Sequence, residues 1–352
     1  MGVFVLGMHR SGTSSVTRLI DLLGVPVGAP QMPPQPDNPA GFWEVAPLVQ
    51  MNDDLLAHLG GAWDAPPDPP PGWERDAALD AMRERAAGLF HAAHPGASWV
   101  WKDPRACLLL RFWRPLTGSN DVAVIVLRNP LDVAHSLNRR SRMSTTYGMV
   151  LWERYMRVLS RDAGGLPALV VRYDDALDDP TASAQQMREF LVARGQLDAA
   201  APFDLEAVRA FLRPDLRHAH RTRADLDRDG RVSPAQREIF ACFDALAGEH
   251  ASFAPAALPP ETPWVGPLLA ARGEAASAEA TSPTSDVIDR LERELGSAEH
   301  GLAERDAEAV ALRASLAAVR DALGGADIGR VERVALRVAR AVRRVQHRRR
   351  AG

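Results

Sequence analysis

The chain has 352 residues, 46% of them hydrophobic, which is enough for a sizeable core in one large or two ordinary domains. Two cysteines, Cys107 and Cys242, exclude a disulfide framework, and no stretch approaches the ~20 apolar residues of a membrane span, so a cytoplasmic protein is expected. The net charge of −3 conceals nine Arg against one Glu in residues 328–352, which leaves 33 basic against 44 acidic residues in the body and excludes nucleic-acid binding by its overall field.

"VFVLG" (3–7) predicts a short buried strand and "TSSVTRLIDLLG" (13–24) an amphipathic helix ended by Gly24. A Pro-rich loop leads to a second helix in "APLVQMNDDLLAHLG", and the "PPDPPPG" turn (66–72) to a third over 74–92. "SWVWKDP" (98–104) is strand-like and "RACLLLRFW" begins a helix. The apolar run "DVAVIVL" (121–127) has the composition of a central parallel strand, followed by the helix "LDVAHSLNRRS". "ALVVRYDDAL" (168–177) is another strand, with a helix over 181–195. This alternation predicts an α/β fold, a mostly parallel sheet with helices on both faces.

"DLDRDGRVSPAQ" (225–236) imitates a calcium loop, but Gln236 stands where a bidentate carboxylate is required, and Ser233 with Gln236 reads as a helix-capping box. The pattern thus places the main domain at 1–253 and a linker at 254–285. A heptad seam follows over 286–325, running from Ile288 to Leu323 and implying a coiled-coil homodimer. A basic amphipathic tail at 326–352 suits the anionic inner surface of a membrane.

The chemistry concentrates in "GMHRSGTSS" (7–15). Gly7, Gly12 and Ser14 fill three positions of the phosphate-binding pattern G-x-x-x-x-G-K-[ST], but Thr13 occupies the Lys slot and a cation sits earlier, at Arg10. A glycine-rich turn into a helix N-terminus still cradles an anion through backbone N–H groups. The 121–127 strand ends at Arg128, where a Mg²⁺-binding nucleotidase needs Asp, so no metal is expected. Arg128 with Ser136, eight residues on, forms a candidate second anion site. Of the 42 Lys plus Arg residues only Lys102 is Lys, and a compact ammonium suits a point contact that a planar guanidinium fills poorly.

"GMHRSGTSS", "WKDP" and "VLRNPLDVAHSL" together resemble the PAPS-dependent sulfotransferase superfamily over roughly residues 1–250, with similarity to bacterial sulfotransferases and the tyrosylprotein branch. The resemblance implies that Arg10, Ser11, Gly12, Thr13 and Ser14 hold the 5′-phosphosulfate of 3′-phosphoadenosine 5′-phosphosulfate (PAPS), and that Arg128 and Ser136 hold its 3′-phosphate. Arg10 and Lys102 would then offset charge on the bridging oxygen, and Glu44 in "GFWE" would be the general base. His9 and His135 are rival bases. Asp103 would orient Lys102 or cap the next helix, Arg217 or His218 would touch the nucleotide or face solvent, and Tyr173 would face a ligand or pack. The implied acceptor is a hydroxyl, on a glycan or glycoconjugate. A P-loop nucleotide kinase and a non-catalytic nucleotide-binding coiled-coil scaffold are the competing readings.

Overall fold

The computed structural model describes residues 2–35, 41–141, 143–212, 221–254 and 257–278. The heptad seam, the basic tail, Arg217 and His218 lie outside the described residues.

The elements follow in chain order as β1 (Gly2–Leu6), α1 (Thr13–Leu22), α2 (Ala46–His58), α3 (Asp80–Ala93), β2 (Trp99–Lys102), α4 (Ala106–Thr117), β3 (Val122–Leu127), α5 (Pro130–Ser141), α6 (Thr145–Asp162), β4 (Ala168–Arg172), α7 (Tyr173–Asp178), α8 (Pro180–Ala193), α9 (Leu205–Phe211), α10 (Arg223–Arg228), α11 (Pro234–Ala245), β5 (Gly248–His250) and α12 (Val265–Ala278). The strands form one sheet in the order β2-β1-β3-β4-β5, parallel throughout except for β5. Strand alternation divides the core between the two faces. Phe4, Leu6, Ala123 and Ile125 pack with α4 and α6, whereas Val3, Val5, Val122 and Val124 pack with α1 and α8. Burial on both faces explains why "DVAVIVL" is apolar at every position, and β3 is indeed the central strand.

Besides α9, α10 and β5, which were not foreseen, the structure departs from the sequence reading in four places. The strand foreseen over 168–177 stops at Arg172, where Asp174 and Asp175 fall in the first turn of α7 and favour a helix N-terminus. The helix foreseen from 74 starts as two single 3₁₀ turns, Trp73–Arg75 and Ala77–Leu79, before α3. The 18-residue α6 was not foreseen, although Tyr147, Val150, Leu151, Tyr155 and Leu159 recur at helical spacing; the charged Glu153 and Arg154 between them are buried as well. Lastly, α12 falls within the stretch read as linker, and its Val265 and Leu269 are buried in the main core. The capping box is present as foreseen, with Ser233 Oγ accepting from the Gln236 N–H and Gln236 Oε1 from the Ser233 N–H.

One edge of the sheet is covered. Val27 bridges to Val100 of β2, and the Val100 N–H donates to the Pro26 carbonyl at 3.0 Å. Among the described residues no helix is long and apolar enough to cross a membrane.

Candidate active site

In a sheet ordered 2-1-3-4-5, the chain leaves β1 toward one side and β3 toward the other, and the crevice beyond their carboxyl ends is where such sheets bind ligands. The loop 7–12 and Arg128 stand at those two ends.

The loop is held tightly. The Gly7 N–H donates to Cys107 Sγ at 3.1 Å, and the Ser11 N–H closes a turn onto the Met8 carbonyl at 3.1 Å. Burial raises the Cys107 thiol to about 12, so it stays protonated and returns a hydrogen bond to the Gly7 carbonyl. Gly12, at φ 91°, precedes α1 in the left-handed region, and a Cβ there would lie 2.1 Å from the Tyr173 ring. No side chain caps α1, so its N-terminal dipole faces the loop uncapped. Among the described residues the two non-glycine positions with positive φ are Arg10 (68°) and Trp43 (57°), and both border this loop. Such conformations persist only where the surroundings enforce them.

Lys102 is the last residue of β2 and pairs in register with Val5 of β1, which delivers its side chain beside the loop. Its Nζ lies 2.5 Å from Glu44 Oε1 and 3.2 Å from Ser14 Oγ. Lys102 is 1% exposed and Glu44 7%, so this is a buried ion pair on the anion loop. Burial raises the Glu44 carboxyl above the ordinary range, and Lys102 opposes that rise without cancelling it. Ser14 Oγ in turn donates to the Phe42 carbonyl at 3.1 Å, fastening the Phe42–Glu44 segment to the first turn of α1. Arg18 lies over the Trp43 ring at 4.8 Å and Arg140 over Phe42 at 5.7 Å.

Arg128 donates from Nη1 to the Arg10 carbonyl at 2.9 Å and lies 5.0 Å over the Tyr173 ring, while its buried Nε has no hydrogen-bond partner among the described residues. Ser136 accepts from Arg10 Nε at 2.9 Å. Arg10 therefore joins Arg128 and Ser136 in one hydrogen-bonded group, with its backbone at a φ of 68°.

The rival bases are placed less favourably. Burial first, then the cations Arg105, Lys102, Arg140 and Arg10, push His9 well below its ordinary value and leave it a neutral, weakly basic ring. Burial and then Arg221 and Arg231 lower His135 to about 4. Asp103 accepts from the Arg105 N–H at 2.9 Å and from Asn52 Nδ2 at 2.9 Å, just ahead of α4, which no side chain caps. Tyr173 packs on Gly12 and Arg128. The support from Cys107 went unread in the sequence, and Tyr173, read as facing a ligand or packing, was not tied to Gly12. The fixed glycine pattern hinted that something presses on the loop, but not which residues.

The protein is thus a mixed α/β chain whose parallel sheet carries a glycine-rich loop, a buried Lys–Glu pair and an arginine at its switch point. No protein-family model matches the sequence, and no curated protein matches it. Among solved structures, the sulfotransferase domain from the curacin biosynthetic pathway aligns with 77% of this chain and 96% of its own, at 16% identity and a TM-score of 0.36. At that score the likeness carries no argument.

Proposed function

We propose that the chain is a sulfotransferase that moves a sulfuryl group from PAPS to an acceptor hydroxyl, on a glycan or glycoconjugate, and releases 3′-phosphoadenosine 5′-phosphate (PAP). The observation that carries this reading is the buried Lys102–Glu44 pair bonded to Ser14 of the anion loop, which sets a base and a cation side by side against a phosphate cradle. The uncapped N-terminus of α1 and a buried Arg128 Nε that has no partner among the described residues suit a ligand with two separate anionic groups.

In this reading Ser11, Gly12, Thr13 and Ser14 hold the 5′ side of the donor, while Arg10, Arg128 and Ser136 serve the second phosphate. Glu44 accepts the hydroxyl proton as the acceptor oxygen bonds to sulfur. The bond from sulfur to the bridging oxygen breaks, and Lys102 offsets the charge left on PAP. A preorganised donor of this kind contributes about 3–4 kcal/mol to the transition state. Calorimetry with PAP, followed by an acceptor screen with labelled PAPS, tests the reading. Transfer is expected to survive EDTA, and strict dependence on Mg²⁺ with ATP as donor would replace it with a kinase.

Arg128→Ala should weaken PAP about tenfold or more and adenosine 5′-phosphate much less, because PAP alone carries the 3′-phosphate and a charged hydrogen bond is worth ~1.5–3 kcal/mol. Equal weakening of both nucleotides removes Arg128 from that role. The heptad seam also implies a dimer that becomes monomeric without residues 286–352. A monomeric full-length chain in light scattering rules this out.

A further inference from the structure

A loop that holds Arg10 at a positive φ must be braced from outside, since that conformation costs a non-glycine residue about 1–2 kcal/mol. The α5 side is braced by Ser136 and Arg128, and the start of the loop by Cys107. On the remaining side the His9 ring, whose Nε2 has no hydrogen-bond partner among the described residues, is packed 4.7 Å from the Trp63 ring and 5.8 Å from Tyr155.

Trp63 is itself fixed with unusual care. It shares with Asp64 the tip of a two-residue turn closed by mutual backbone bonds between Ala62 and Ala65, at 3.0 and 3.2 Å. Both carbonyls at the tip accept tyrosine hydroxyls from α6. Tyr155 donates to Trp63 O at 2.8 Å and Tyr147 to Asp64 O at 2.6 Å. The Asp64 carboxylate pairs with Arg272 of α12 at 3.1 Å. The chain contains three tyrosines, and the third, Tyr173, closes on Gly12 from the opposite side.

We propose that Trp63 is a positioning residue for the anion loop, and that α12 acts as a strap that keeps it there through the Arg272–Asp64 pair. Trp63 fixes the His9 ring, His9 fixes the backbone entering Arg10, and the order of the phosphate cradle is thereby tied to a helix about 260 residues away in sequence. The inference rests on reading residues 7–12 as the anion loop.

Amide exchange of the full chain without ligand, together with PAP calorimetry, tests it. Trp63→Ala is expected to speed exchange of residues 7–12 about tenfold while leaving α8, on the other face of the sheet, unchanged. PAP affinity should fall about fivefold or more, with Trp63→Phe restoring most of both because an aromatic ring still covers His9. Arg272→Ala leaves Trp63 in place and should move the same amides in the same direction by about two- to threefold. If Trp63→Ala does not fold, the Arg272→Ala and Trp63→Phe arms decide. Unchanged exchange at 7–12, or a rise shared equally with α8, overturns the proposal. Wild-type protein that ignores PAP defeats the donor reading alone, since the exchange arm needs no ligand.

Discussion

Lys102→Ala is expected to lose a hundred- to a thousandfold in transfer, the range found when one preorganised donor is removed from a transition-state site. The same change leaves Glu44 buried without its cation, and breaking a buried pair from one side costs about 3–5 kcal/mol of stability. Because its carboxyl is already raised, Glu44 can limit that cost by taking up a proton. Adding Glu44→Gln to Lys102→Ala should therefore recover much of the stability and none of the turnover, which denaturant titration and a transfer assay would separate. Lys102→Arg should not rescue, since a planar fork cannot replace a point contact to Glu44 and Ser14 within a buried site. Full activity in Lys102→Arg would refute that reading of the chain's one lysine. With Lys102 intact, Glu44→Gln should abolish turnover at nearly unchanged PAP affinity. In the wild type the rate should rise with pH through a pKa above the ordinary carboxylate range, because the base must be ionised and burial holds its proton longer. Full turnover in Glu44→Gln would move the role of base to His9.

Gly12→Ala should be the most damaging single-atom change to the loop. Its Cβ would fall 2.1 Å from a Tyr173 ring that is itself 4% exposed and held beneath Arg128, so the ring has nowhere to withdraw. A left-handed backbone adds about 1–2 kcal/mol for any residue other than glycine. The overpacking adds about 1–3 kcal/mol more. Binding of PAP should fall with the loop's geometry, by more than about tenfold. The two penalties can be separated. In the Tyr173→Ala background, Gly12→Ala should cost less than in the wild type, with the backbone part remaining. Strict additivity of the two substitutions in denaturant titrations would show that Tyr173 is not the obstacle.

Much of this arrangement was legible because its parts obey short-range rules. A glycine-rich turn between an apolar strand and an amphipathic helix can do little else, and "DVAVIVL" could only be an interior strand. Lys102 was readable as the end of a strand, but Glu44 reaches it from beyond α1 and the loop before α2, a meeting that strand order does not give. What escaped depended on contacts between distant segments. The Trp63 turn means nothing until Tyr147 and Tyr155 of α6, and Arg272 of α12, arrive from elsewhere. The bond from Arg10 to Ser136 could not be read either, because sequence order does not encode a φ of 68° at a non-glycine residue.

The covered margin of the sheet has its own consequence. At the β2 side, Val27 and Pro26 occupy hydrogen-bonding positions that an incoming strand would need. At the other side β5 offers three residues, too short a template for a stable added strand. Among the described residues neither margin offers a long free template on which a peptide or a second copy could extend the sheet. The parallel strands that carry the loop and Lys102 are kept out of intermolecular pairing, and their register is set within one chain.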